Sequence, residues 1–161
     1  MIFSWMPYPV EGVREAISRN NMSLFSFRKD EILRKNKLID RLFTEGSTFY
    51  IYPFKIFWLT LPLETSYPAQ ILISVGKRTF KRAVDRNRVK RQVREVYRLH
   101  KHDLYENLAR AQEQCVLGII YTSNKIVGTE ELEIKIKAVL KRLNSELNKK
   151  LNKSSSSLSE Q

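Results

Sequence analysis

A single cysteine in 161 residues, Cys115, excludes any disulfide within the chain and any zinc site built on cysteine pairs. It opens the apolar run Cys115–Tyr121, where a buried structural thiol is expected. Only two histidines are present, His100 and His102, and their i,i+2 spacing points them to different faces of a helix. They make a poor metal pair and a poor catalytic pair, and are read as surface residues. No apolar run approaches the ~18–20 residues of a membrane span. The first ten residues are apolar, yet they carry Pro7 and Pro9 and lack the basic start of a secretory signal. Paired carboxylates in a plausible cleft, a Ser/His/Asp set, a metal-ligand cluster and an internal repeat are all missing.

Negative charge is also scarce where positive charge is densest. Between Lys77 and Lys101 there are eleven Lys/Arg against only Asp85 and Glu95, so this segment carries +9 of the chain's formal +12. Read as a helix at 100° per residue, Val89, Val93, Val96 and Tyr97 fall on one side and form a stripe that can dock on a core. Opposite them Asn87, Arg91, Arg94, Arg98 and Lys101 recur at helical spacing, flanked by Lys90 and Arg88. Like charges at i,i+4 destabilise a helix by about 0.2–0.5 kcal/mol per pair, so this almost purely cationic face gives up stability for a positive surface. Arginine outnumbers lysine in the block. Its planar fork of donors suits bidentate phosphate contacts and stacking on bases, which favours nucleic acid over a membrane surface. No amphipathic helix places exposed bulky apolar residues opposite this charge, as interfacial binding would need.

Composition predicts one compact domain, since 42% hydrophobic residues suffice for a core. Residues 35–45 read as a helix with Leu38, Ile39, Leu42 and Phe43 on one face, stopped by Gly46. A short strand is expected around 47–52, with Pro53 breaking the connection. Over 54–60, Phe54, Ile56 and Trp58 alternate with Lys55, Phe57 and Leu59, a strand packed on one side and partly open on the other. Residues 70–75 and 116–122 read as further strands. Thr129 is expected to cap a final helix whose core face is Ile136, Val139, Leu140, Leu143 and Leu147. The order α-β-β-β-α-β-α predicts an α+β fold, a single small sandwich with a mixed sheet and helices on one face. Residues 22–150 form the expected domain. Residues 1–21 read either as an upstream start, with Met22 the biological one, or as a weakly structured extension. Residues 151–161 read as a disordered Ser-rich tail with no means of packing.

The pattern Phe80-x-x-Ala83-x-x-Arg86-Asn87-x-x-Lys90-Arg91-x-x-Arg94-Glu95 resembles the signature of the bacterial ribonuclease P protein subunit. Upstream, Leu33 through Phe43 followed by Gly46 resembles that family's first helix and turn, and the similarity extends over roughly residues 22 to 148. The resemblance implies a left-handed crossover between strands and a protein without catalytic residues. It implies a partner RNA subunit that uses Mg2+ to remove the 5′ leader of precursor tRNA by endonucleolytic hydrolysis, in the cytoplasm. It also implies two RNA surfaces. The basic helix, with Lys77, Arg78, Arg86, Asn87, Arg88, Lys90, Arg91, Arg94 and Arg98, would face the catalytic RNA. A cleft between the first helix and the open sheet face, with Ile39, Phe43, Lys55 and Phe57, would hold the single-stranded leader. Phenylalanine is frequent in the family where Ile39 stands, so this position supplies an apolar wall rather than a stacking ring.

Residue by residue, simpler roles compete. Phe43 and Phe57 suit either a core or a ligand platform, while Phe54, Trp58, Phe80 and Ala83 suit packing. Arg86, near the edge of the apolar stripe, suits support of the motif as well as contact with RNA. A basic ribosomal protein would match the charge and length, but does not require the Ala83-x-x-Arg86-Asn87-x-x-Lys90-Arg91 spacing. A DNA-binding regulator would usually place a short helix before its recognition helix, and here a strand precedes it. Neither DNA nor a membrane is expected as a partner.

Overall fold

Apolar segments build the sheet, alternating over Phe54–Thr60 and continuous over Cys115–Tyr121. The computed structural model describes residues 26–158, so the segment 1–21 lies outside the described residues. β1 (Ser47–Ile51) and β2 (Phe54–Thr60) form an antiparallel hairpin across Tyr52-Pro53, whose peptide bond is cis. β3 (Ala69–Val75) and β4 (Cys115–Tyr121) are parallel neighbours, and β2 pairs with β4 antiparallel, giving the order β1-β2-β4-β3. The sheet is mixed, as expected for the α+β class.

Between β3 and β4 run α2 (Ala83–His100) and α3 (His102–Ala111). α3 is an addition to the expected order. It starts immediately beyond Lys101, and its buried Leu104 and Leu108 dock on the same core as α2. α2 buries Val89, Val93, Val96 and Tyr97, the stripe read from the sequence. α4 (Thr129–Leu158) completes this layer with Leu132, Ile136, Val139, Leu140, Leu143 and Leu147. Thr129 lies inside the helix, its hydroxyl facing Gln92, and does not cap it. α4 also passes residue 150, where the tail was expected to begin. Its exposed serines bond backward along the helix, as Ser155 does to the Leu151 carbonyl at 2.7 Å.

α1 (Asn36–Glu45) lies on the other face of the sheet, so the expectation of helices on one face holds only for the layer of α2, α3 and α4. Leu42 is fully buried beside Val116 and packs tightly over Gly118, where a Cβ would stand 3.2 Å from Leu42 Cδ2 and push the leucine back by a few tenths of an ångström. Gly46 ends α1, though not through a left-handed conformation: its φ is −68°. Space is the reason, since a Cβ there would fall 2.2 Å from the Leu42 carbonyl oxygen.

Charge is buried at one point. Glu31, fully buried in a short 3-10 turn at Lys29–Glu31, pairs with Lys101, which is only 4% exposed. The Tyr105 hydroxyl donates to the same carboxylate at 2.6 Å, the Arg28 amide donates to it at 2.7 Å, and Lys101 Nζ also donates to the Ser26 carbonyl at 2.6 Å. Burial lowers the Lys101 pKa, opposed by the Glu31 partner. Lys101 therefore does not belong to the cationic row. The helix ends at His100, and the bend before α3 turns the lysine inward. Lys101→Met should cost about 3–5 kcal/mol by leaving Glu31 buried without a countercharge. Glu31→Leu combined with Lys101→Met should regain most of that loss in urea denaturation. A single variant as stable as the parent would contradict the pairing.

Candidate RNA interface

α2 presents to solvent what its docked stripe leaves over. Asn87, Arg88, Arg91 and Arg94 are exposed, Lys90 is half-buried, and Lys77 and Arg78 stand exposed in the loop before the helix. Among the described residues no ion pair or hydrogen bond engages the side chains of Lys77, Arg78, Arg88, Lys90, Arg91 or Arg94. The first turn of α2 has no side-chain cap, and Arg82 occupies the N-cap position. Cations gathered at the positive end of a helix dipole are unfavourable in isolation, so this end of the molecule favours anions.

Two arginines of the row have internal partners. Arg98 pairs with Glu95, with Nε 3.0 Å from its carboxylate, and holds that carboxyl below its ordinary pKa through the hydrogen bond. Arg86 donates from one guanidinium nitrogen to the Phe80 and Lys81 carbonyls, both at 2.8 Å. It braces the loop onto the helix, the supporting role its position near the stripe allowed. Phe80 itself stacks on Tyr121 at 6.0 Å, and Tyr121 packs edge-on against Phe54. The loop that carries Lys77 and Arg78 is thus fixed to the end of β4.

The predicted cleft residues come together on the opposite face. Phe43 of α1 meets Phe57 of β2 edge-on, with centroids 4.8 Å apart, and Lys55 Nζ stands 5.2 Å from the Phe57 ring centre. Ile39 packs in the same small apolar cluster as Phe57. Phe43 is nevertheless 42% exposed, and Lys55 is exposed, so the group is part wall and part open surface. Phe54 and Trp58 point into the main core, as their alternation required.

Strand register places the two surfaces near one another. Lys55 is opposite Ile120, and Ile120 opposite Ser74, three residues before Lys77. Two strand spacings separate Lys55 from Ser74, roughly 10 Å. The cleft and the basic loop therefore border the same end of the sheet.

Two aromatic residues that the sequence reading left without a role lie at this border. Tyr50 is opposite Lys55 in the register, and Tyr52 follows in the hairpin turn. They are 52% and 49% exposed. Each hydroxyl is tied down, Tyr50 to Thr122 Oγ1 at 3.2 Å and Tyr52 to Ser123 Oγ at 2.9 Å. Their exposure is a tertiary fact, and no periodicity in a five-residue strand announces it. The remaining candidates are quiet. Cys115 is fully buried and its thiol is pushed up to about 12 by burial. His100 is half-buried and pairs with Glu133 at 2.9 Å, joining α2 to α4, while His102 is exposed. Among the described residues, no group of His, Cys, Asp and Glu could hold a metal ion. None of the described helices is long and apolar enough to cross a membrane.

The family model described as Ribonuclease P matches residues 27–144, a span that contains both surfaces. The chain belongs to the ribonuclease P protein family. It is 35% identical over 109 residues to a ribonuclease P protein component of Porphyromonas gingivalis, covering 68% of this chain and 80% of that protein. It is 34% identical over 124 residues to one from Chlorobaculum tepidum, covering 71% and 80% respectively. The fold is similar to that of the RNase P protein of Staphylococcus aureus, with a TM-score of 0.58, 23% identity and coverage of 70% of this chain and 94% of that one. The Thermotoga maritima RNase P protein gives 0.55, with 21% identity and coverage of 70% and 96%.

Within this ribonuclease P protein the arginines divide by their partners. Arg86→Ala should lower stability by about 1–3 kcal/mol, the range for lost hydrogen bonds to a charged group. Arg91→Ala, which removes no internal partner, should stay within about 0.5 kcal/mol of the parent. Equal stability of the two variants in denaturant titration would contradict the brace.

Proposed function

We propose that this chain is the protein subunit of a ribonuclease P ribonucleoprotein that removes the 5′ leader of precursor tRNA in the cytoplasm. The observation that carries this reading is the row Arg88, Arg91 and Arg94, held on a rigid helix without a carboxylate partner among the described residues. Such a row is costly in an isolated protein and favourable against a polyphosphate. In this reading α2 and the Lys77–Arg78 loop face the catalytic RNA. The cleft of Ile39, Phe43, Lys55 and Phe57 holds the unpaired leader, with bases stacking on aromatic faces for about 1–3 kcal/mol each.

Phosphodiester hydrolysis belongs to the RNA subunit and its magnesium ions. The protein contributes position and charge. Its cations screen the repulsion between two polyanions, and the cleft fixes the leader relative to the cleavage point. Arg86 acts from behind by holding the loop and helix in register, whereas the exposed arginines act directly on phosphates. The strand before α2 also argues against a helix-turn-helix DNA reader.

The test is 5′ processing of a precursor tRNA by the cognate catalytic RNA at low magnesium, with and without the protein. Cleavage at the mature 5′ end should depend on the protein and fall at least tenfold in an Arg88→Ala/Arg91→Ala/Arg94→Ala variant that melts like the parent. Protein-independent processing, with tight RNA binding retained, would instead make the chain a structural RNA binder.

A further inference from the structure

Tyr50 and Tyr52 are unusual among the aromatic residues of the sheet. The others are buried or share an edge contact, whereas these two keep half of their surface in water. Burial does not explain them, and neither does freedom, because both hydroxyls are anchored to the segment after β4. The anchors are themselves fixed. Thr122 Oγ1 donates to the Pro53 carbonyl at 2.9 Å, and Ser123, which is buried, accepts the Lys125 amide at 3.2 Å. A tyrosine held by its polar end and half exposed lies along the surface and offers a ring to solvent.

Their place in the sheet gives that ring a ligand. Tyr50 is directly opposite Lys55 and diagonal to Phe57, whose own partner is Thr48. Diagonal neighbours on one face stand roughly 7–8 Å apart, within reach of aromatic side chains. Phe43, Phe57, Lys55, Tyr50 and Tyr52 thus follow one another from α1 to the hairpin turn. Cations flank the far end as well: Lys125 is exposed in the segment that anchors the tyrosines. Aromatic faces interleaved with lysines suit an unpaired nucleic-acid strand, because every base has a face to stack and every link has a phosphate to neutralise.

We propose that Tyr50 and Tyr52 form a second stacking subsite for unpaired RNA, continuous with the Phe43–Phe57 cleft and occupied by leader nucleotides beyond those the cleft itself holds. The inference rests on the leader-binding reading above. Anchoring makes the subsite sequence-tolerant but length-sensitive, since it is reached only by a leader long enough to cross Lys55.

The test uses the holoenzyme assembled with the cognate catalytic RNA and two precursor tRNAs, one with a leader ending within the cleft and one extended. Tyr50→Leu/Tyr52→Leu should weaken binding of the extended precursor at least about fivefold, the lower end of what losing one stacked aromatic costs. Binding of the short one should stay unchanged. Tyr50→Phe/Tyr52→Phe, which keeps the rings and loses the anchors, should fall between. A 2-aminopurine placed in the distal leader should be quenched on binding to the parent and not to the leucine variant. Equal losses for both precursors would mean a structural role and overturn the subsite, as would no loss for either while Phe57→Ala weakens both. If Phe57→Ala weakens neither, the leader-cleft reading falls, and the subsite falls with it.

Discussion

An arginine-laden helix must be held against a sheet despite its own repulsion, and the stripe Val89, Val93, Val96 and Tyr97 is the contact that does so. These four side chains are buried on the α2 side of the sheet. Full burial of such side chains contributes roughly 1.5–3 kcal/mol each. Like-charge neighbours along the helix cost only about 0.2–0.5 kcal/mol per pair. Packing wins by a wide margin, and the helix can leave several arginines without countercharges. The Glu31–Lys101 pair closes the far end of the same helix, bending the chain into α3 and tying the segment near Ser26 to the core. What the core secures on one side, the surface can spend on charge on the other.

The second face follows a different constraint. Leu42 packs closely over Gly118, and this approach of α1 sets where Phe43 meets Phe57. The cleft is consequently built from residues that are partly structural: Phe43 packs edge-on against Phe57 and still keeps 42% of its surface exposed. Lys55 borders the end of the sheet that carries Lys77 and Arg78, while Tyr50, one strand further out on β1, continues the face away from that loop.

Much of this was legible in the residues. Alternation in Phe54–Thr60 set both faces of β2, and the 3.6-residue period of α2 set its buried and cationic sides. Failures came where a local rule was carried past its range. Extending the helical wheel beyond His100 put Lys101 among the cations, although the chain bends there and buries it. The residues between Lys101 and Cys115 were given no element, and there the chain forms α3 and buries Leu104 and Leu108. Gly46 was located correctly for a reason that differs in kind, crowding rather than a left-handed turn. Serine composition suggested a tail without structure, yet α4 runs on to Leu158. The exposure of Tyr50 and Tyr52 depends on Thr122 and Ser123, some seventy residues away, and no local pattern encodes it.

The central claim is that α2 binds RNA through arginines the fold leaves unpaired. The salt dependence of affinity for the catalytic RNA, measured for the parent and for Arg88→Ala/Arg91→Ala/Arg94→Ala, tests it most directly. Each phosphate contact contributes about 0.7–0.9 to the log–log slope, so the triple variant should show a slope shallower by about 2–3. An unchanged slope, in a variant that folds as the parent does, would place the RNA on another surface and contradict the account.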